Sequence, residues 1–177
     1  KSNSIGEGIG KGLHEIIELA EQGDWKGLVI GNNAKQFSVG ANLMNIGMFA
    51  MQKQFDVLER FVDDFQQINM KIRTSKIPVV VATQGYVFGG GCEISMHCDA
   101  GIYAAESYIG LVEVGVGLLP GGGGTKEFAL RASDDFFEGD VQNPTLINYF
   151  KSIATASVST SAYEAYDLGY LKKDRDF

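Results

Sequence analysis

GYVFGGGCEISMHCD, residues 85–99, sets three consecutive glycines after a short apolar run and directly before a cysteine and a glutamate. Glycine is the worst non-proline residue for continuing a helix, so a triplet at this junction points to a backbone that something approaches closely. If a strand ends near Phe88 and a helix begins near Gly90 or Gly91, the free N–H groups of its first turn face outward. The positive end of the helix dipole stands behind them. Such a turn can hold a developing oxyanion, because no Cβ keeps a carbonyl away from the main chain. Glu93 then lies on the same side, one turn along.

Working outward, Pro78 ends the preceding segment and VVVAT (79–83) reads as a buried strand. KGLVIGN (26–32) gives a second short apolar run bounded by Gly and Asn, and DAGIYAA (99–105) a third. Ile9, Leu13, Ile16, Ile17 and Ala20 predict an amphipathic helix over 9–20. From roughly Asn45 to Thr74 the pattern is helical throughout. Phe55, Leu58, Val62, Phe65, Ile68 and Ile72 share one face, expected to pack into the core. NAKQFSVGANL (33–43) is a loop by composition. Helices and strands alternate at short range, which predicts an α/β fold with largely parallel buried strands. Beyond LLPGGGGT (118–125) the pattern blurs, and helices are assigned only around Leu146–Ala154 and Ser161–Leu168.

The 177 residues suit one domain, and 45% hydrophobic with 21% charged residues is an ordinary globular composition. A formal charge of −7 argues against a nucleic-acid binder that neutralises phosphates. No apolar run reaches the roughly 18 residues of a membrane span, and the first residues lack the order of a signal peptide. A cytoplasmic location is expected. Cys92 and Cys98 fit neither a Cys-x-x-Cys pair nor a zinc knuckle, so free thiols and no metal are expected.

Familiar loops fail on inspection. A phosphate loop needs lysine directly after its last glycine, whereas Gly124 is followed by Thr125 and then Lys126. No G-x-G-x-x-G follows a strand. Ser38 in QFSVG has Gln36 where a nucleophile elbow needs glycine. His14 and His97 read as ordinary solvated or core histidines. More suggestive is Glu113, an acid inside the apolar, glycine-rich run GLVEVGVGLLPGGGG (110–124). Burial there would raise its pKa toward the range useful for proton transfer. Residues alone leave open the plainer roles: Glu93 favouring a helix dipole, and Glu113 bonded to nearby loop N–H groups.

Taken together, GLVIGNNAKQFSVGANL, KIPVVVATQGYVFGGGCEISMHCDAGIYAAESYIGLVEVGVGLLPGGGGT and, more faintly, SAYEAYDLGYL resemble the crotonase (enoyl-CoA hydratase/isomerase) superfamily in order and spacing. The run YIGLVEVGVGLLPGGGGTKE is most similar to the hydratase portion of bacterial two-part 3-hydroxyacyl-CoA dehydrogenases. The resemblance implies a crotonase-like (ClpP/crotonase) spiral of ββα units over a single domain, 1–177, with its core in 1–125 and a helical part in 126–177. It implies oxyanion donors at the Ala41 and Gly90 N–H groups, and Glu93 and Glu113 flanking a water. Gly40 and Gly89 become substrate-binding positions, and Lys35 the candidate contact to coenzyme A phosphates.

The implied reaction is hydration of a trans-2-enoyl-CoA to a 3-hydroxyacyl-CoA in fatty-acid β-oxidation. An acyl-CoA thioester is the implied partner. The resemblance implies no cofactor bound by this chain, with coenzyme A as part of the substrate and NAD in a separate portion of the parent protein. Rival expectations are an enoyl-CoA isomerase of the same fold and a catalytically weak assembly module of the parent dehydrogenase. Trimer-type homo-oligomers are implied if the family's other segments are present. The pattern departs from the family in lacking the strand hairpin before NSIGEGI and the helices after GYL, so the chain reads as truncated at both ends. The stretch 126–158 is longer than in a simple hydratase. Asn42 stands where Asp is commoner, a change expected to matter little because the backbone makes the contact.

Overall fold

The computed structural model describes residues 3–141 and 143–177. Helix α1 (Glu7–Gln22) precedes strand β1 (Leu28–Ile30), followed by helices α2 (Leu43–Met51) and α3 (Phe55–Arg73). Strands β2 (Val79–Thr83) and β3 (Tyr86–Phe88) lead into α4 (Gly90–His97), and β4 (Ala100–Tyr103) and β5 (Tyr108–Gly110) into a 3-10 turn at Glu113–Val116. Helices α5 (Gly124–Asp134), α6 (Asn143–Ala154) and α7 (Ala162–Asp167) follow.

One parallel sheet has the order β1-β2-β4, and a second pairs β3 with β5, also parallel. Ser38 extends the second sheet through a parallel bridge to Val87. The chain thus repeats one path: a strand in the first sheet, a step into the second, then a helix. β1, Ser38 and α2–α3 make one turn; β2, β3 and α4 make the next; β4, β5 and the turn leading to α5 make the third. This is the expected spiral of ββα units.

Central strand β2 buries Val79 and Val81 completely. Each such side chain contributes roughly 1.5–3 kcal/mol of burial. Ile17, Ile72, Cys92, Met96, Ile109, Leu111 and Phe128 complete the core between the sheets and helices. Cys92 and Cys98 are buried free thiols. Among the described residues no helix is long and apolar enough to cross a membrane.

The helix expected from Asn45 to Thr74 is two helices. α2 ends at Met51, Lys53 takes φ +56°, and the Gln54 N–H bonds back to the Phe49 carbonyl at 2.9 Å before α3 starts. The corner was hidden because α2, LMNIGMFAM, is apolar on nearly every side and so offers no polar face to show a change of direction. The α3 stripe also divides: Ile68 and Ile72 are core, whereas Phe55 is 62% exposed and Leu58, Val62 and Phe65 face a cavity.

The C-terminal residues are stitched to the spiral. Phe177 exchanges backbone hydrogen bonds with the β4 edge, donating to Gly101 (2.8 Å) and accepting from Tyr103 (2.7 Å). Arg131, buried in α5, donates to the carbonyls of Gly169 (2.7 Å) and Tyr170 (2.9 Å). Arg175 reaches the carbonyls of Cys98 and Met96 at the end of α4.

Candidate active site

The oxyanion positions arise from two backbone corners. Ile5 donates to the Gly40 carbonyl (2.8 Å) and accepts from the Asn42 N–H (3.1 Å), a parallel ladder that leaves the intervening Ala41 N–H facing the other way. Gly40 has φ +86°, and a Cβ there would stand 3.0 Å from the Phe88 carbonyl oxygen and 3.3 Å from the Gly90 nitrogen. The two corners are therefore packed on one another. Gly89, at φ +52° and ψ −122°, turns the chain from β3 into α4 while its N–H extends the ladder to the Gly110 carbonyl. Gly90 N–H opens the helix. Among the described residues neither it nor Ala41 N–H has an acceptor.

Ser38 shows why it is no nucleophile. Its buried hydroxyl donates to the Asn3 carbonyl (2.8 Å) and accepts from Gly40 N–H (3.1 Å), bracing the corner. The Asn42 side chain accepts from Met44 N–H (3.1 Å) and so caps α2.

Glu93 lies in the first turn of α4 and is 2% exposed. Its Oε1 accepts from Gly124 N–H at 2.9 Å, and the neighbouring Gly122 and Gly123 amides also favour its charged form. Burial pushes its pKa up to about 7 against the pull of these three amides. Glu113 begins the 3-10 turn after β5, and its Oε2 is buried without a partner among the described residues. Burial, reinforced by the Glu93 charge, pushes it up to about 7 as well. The loop amides favour an ionised Glu93, whereas Glu113, with Oε2 unpartnered and only its own backbone N–H lowering its pKa, is favoured protonated. The glycine loop serves this packing: a Cβ on Gly122 would come 2.5 Å from Glu93 Oε2, and one on Gly89 2.9 Å from Glu113 Oε1.

Gly40, Ala41, Gly89, Gly90, Glu93 and Glu113 all line one cavity of about 260 Å³. Its remaining wall is apolar, from Leu43 and Ile46 of α2, Leu58, Phe61 and Val62 of α3, and Val116, Leu118 and Leu119. Met44, Met48, Phe49, Phe55 and Leu111 do not line it; Leu111 is fully buried in the core. Phe61 and Ile46 were missed, although their spacing from Leu58 and Leu43 carried the signal. Lys35 is exposed on the loop after β1 and does not line the cavity. A larger hollow of about 420 Å³ between α1 and α3 shares Phe61 and Phe65 as a wall but holds none of these six residues.

The Enoyl-CoA hydratase/isomerase family profile matches residues 1–139. A protein named "Probable 3-hydroxyacyl-CoA dehydrogenase" from Bacillus subtilis (strain 168) is 42% identical over 173 residues, which are 98% of this chain and 21% of that protein. The mitochondrial enoyl-CoA hydratase of Pongo abelii is 30% identical over 126 residues, 70% of this chain and 41% of that one. Among solved structures, an enoyl-CoA hydratase from Polaromonas sp. JS666 superposes with a TM-score of 0.80 at 22% identity, covering 95% of this chain and 60% of its own. One from Thermoplasma volcanium GSS1 gives 0.77 at 24%, over 98% and 62%. The architecture is that of the crotonase fold. The chain belongs to the enoyl-CoA hydratase/isomerase family, and it spans less than half the length of both curated relatives.

Proposed function

We propose that this chain is the enoyl-CoA hydratase module of fatty-acid β-oxidation, one domain (1–177) of a longer 3-hydroxyacyl-CoA dehydrogenase polypeptide. The observation that carries the reading is the convergence of a buried carboxyl, Glu93, and a half-buried one, Glu113, unequally supplied with donors, on a cavity whose rim holds the Ala41 and Gly90 N–H groups. In the proposed reaction a trans-2-enoyl-CoA lies with its thioester oxygen on those two groups. Glu93 takes a proton from water as the oxygen adds to C3, and the electron pair moves onto the thioester oxygen as an enolate. Its negative charge is held by the two amides. Glu113 then gives its proton to C2, and a 3-hydroxyacyl-CoA leaves.

The hydration itself needs no redox cofactor, and NAD belongs in this reading to a separate dehydrogenase portion. Gly40 and Gly89 admit the thioester by lacking a Cβ. Lys35 is assigned to the coenzyme A phosphates, outside the cavity that holds the reacting carbons. Trimer-type assembly and a cytoplasmic setting belong to the same reading. Two acids favour hydration over double-bond isomerisation, which usually works with one.

The test is loss of the conjugated-thioester absorbance of a 2-enoyl-CoA, with product analysis on 2-enoyl and 3-enoyl substrates. Glu93→Gln and Glu113→Gln should each lower turnover by about a hundredfold or more. Unchanged turnover in both would reject the reading. Shifted double bonds without a 3-hydroxy product would move the assignment to an isomerase.

A further inference from the structure

Behind Glu93, outside the cavity, α3, α4 and α5 bury a polar cluster that the proposed reaction does not use. His97, the last residue of α4, is 1% exposed. Its Nδ1 lies 2.6 Å from the Glu93 carbonyl oxygen, and its Nε2 lies 2.9 Å from Lys126 Nζ. An ammonium group can only donate, so Nε2 is the acceptor and Nδ1–H the donor. The ring is therefore neutral, consistent with burial pulling its pKa down to about 4.

Glu127, 1% exposed, faces Arg73 of α3 at 3.1 Å, Lys126 at 3.2 Å and His97 Nε2 at 3.5 Å. Glu127, Arg73, Lys126 and Glu93 are the charged or titratable groups around the imidazole. Glu127 N–H also bonds the Gly123 carbonyl at 2.9 Å. A Cβ placed on Gly123, itself at φ +115°, would come within 3.0 Å of both Cε1 and Nε2 of His97. One ring thus touches both sides of the Glu93 cradle: the helix that carries the acid and the loop whose amides hold it.

We propose that His97, held by Lys126, which Glu127 holds in turn, is a positioning residue that braces Gly123 and so keeps the Gly122–Gly124 loop at the Glu93 carboxylate. The inference rests on the reading of Glu93 as the base. Without the brace the loop slackens, the carboxylate loses donors, and its pKa rises further. His97→Phe keeps the ring volume, removes both hydrogen bonds and leaves the net charge unchanged.

The experiment compares the wild-type chain with His97→Phe, Lys126→Met and the double variant in 2-enoyl-CoA hydration across pH. For His97→Phe, kcat should fall about tenfold with KM little changed, and the acid limb of kcat/KM should move up by roughly half a pH unit or more. The double variant should be no worse than His97→Phe, because the two residues act through one contact. Lys126, with 38% side-chain exposure, tolerates replacement and carries the test if His97→Phe does not fold. Folded variants with wild-type kcat and an unmoved acid limb would overturn the proposal. If the wild-type chain does not hydrate, the hydratase reading fails alone. The Glu93 titration, followed by infrared difference spectroscopy with Glu93→Gln marking its band, still tests the brace: a raised pKa in His97→Phe supports it, and an unmoved one overturns it.

Discussion

Glu113 sits where ionisation is costly, beside a second carboxyl and with one oxygen buried without a donor. Its pKa near 7 stands above the ordinary 4.5, as does that of Glu93, so the native chain binds more protons than the unfolded one between those values. Stability is therefore fullest below that window and declines as pH rises through it. Glu113→Gln should lose hydration activity yet melt about 2–4 °C higher than wild type at pH 8, with the gain vanishing near pH 4.5. Calorimetry at the two pH values reads this directly, and a lower melting point at pH 8 would contradict the strain assigned to the pair. Gly89 is the second costly residue. Its φ of +52° with ψ of −122° suits only glycine, and Gly89→Ala would also drive a methyl to 2.9 Å from Glu113 Oε1. A loss of about 1–3 kcal/mol in urea unfolding, with activity lost alongside, is expected.

Among the elements, α2 shows how a cap serves a pocket. Asn42 stands where Asp is commoner, and its side chain accepts from Met44 N–H as an Asp carboxylate would, capping the helix that brings Leu43 and Ile46 to the cavity wall. Asn42→Ala should cost about 1 kcal/mol and raise KM more than it lowers kcat, since the frayed helix leaves the acids untouched. Steady-state kinetics beside a melt separates the two effects. The sequence made β1, β2, β4, α1 and α4 legible, because each joins a clear apolar run to a glycine, asparagine or proline boundary. Strand β3 was legible only through its end, placed near Phe88, and β5 was not legible, because three residues following a serine are too short to show a period. Helix α5 was hidden for a different reason. Its buried face includes Glu127 and Arg131, so charges stand where a helical stripe should be apolar. The site was legible through its glycines and acids, whereas its apolar wall was not, since a stripe facing a ligand has the same spacing as one facing a core. The brace at His97 gave no sign in sequence, because its partners come from helices distant along the chain.

At the scale of the whole molecule, charged side chains bond distant backbone and fasten the last turns to the first. Arg131→Met should cost about 2–4 kcal/mol, because the carbonyls of Gly169 and Tyr170 lose a buried donor, and proteolysis should then reach the C-terminal residues first. Limited digestion with mass analysis would locate the first cut. A wider consequence follows from the pairing of Phe88 with Gly110. Glu93 follows Phe88 by five residues and Glu113 follows Gly110 by three, so the two acids are rooted in strands held in register one rung, roughly 4.8 Å, apart. Such a ruler does not stretch by degrees. Warming or urea should leave turnover near its full value until the rungs of β3 and β5 part, and then abolish it within the same narrow interval in which those amides begin to exchange with solvent.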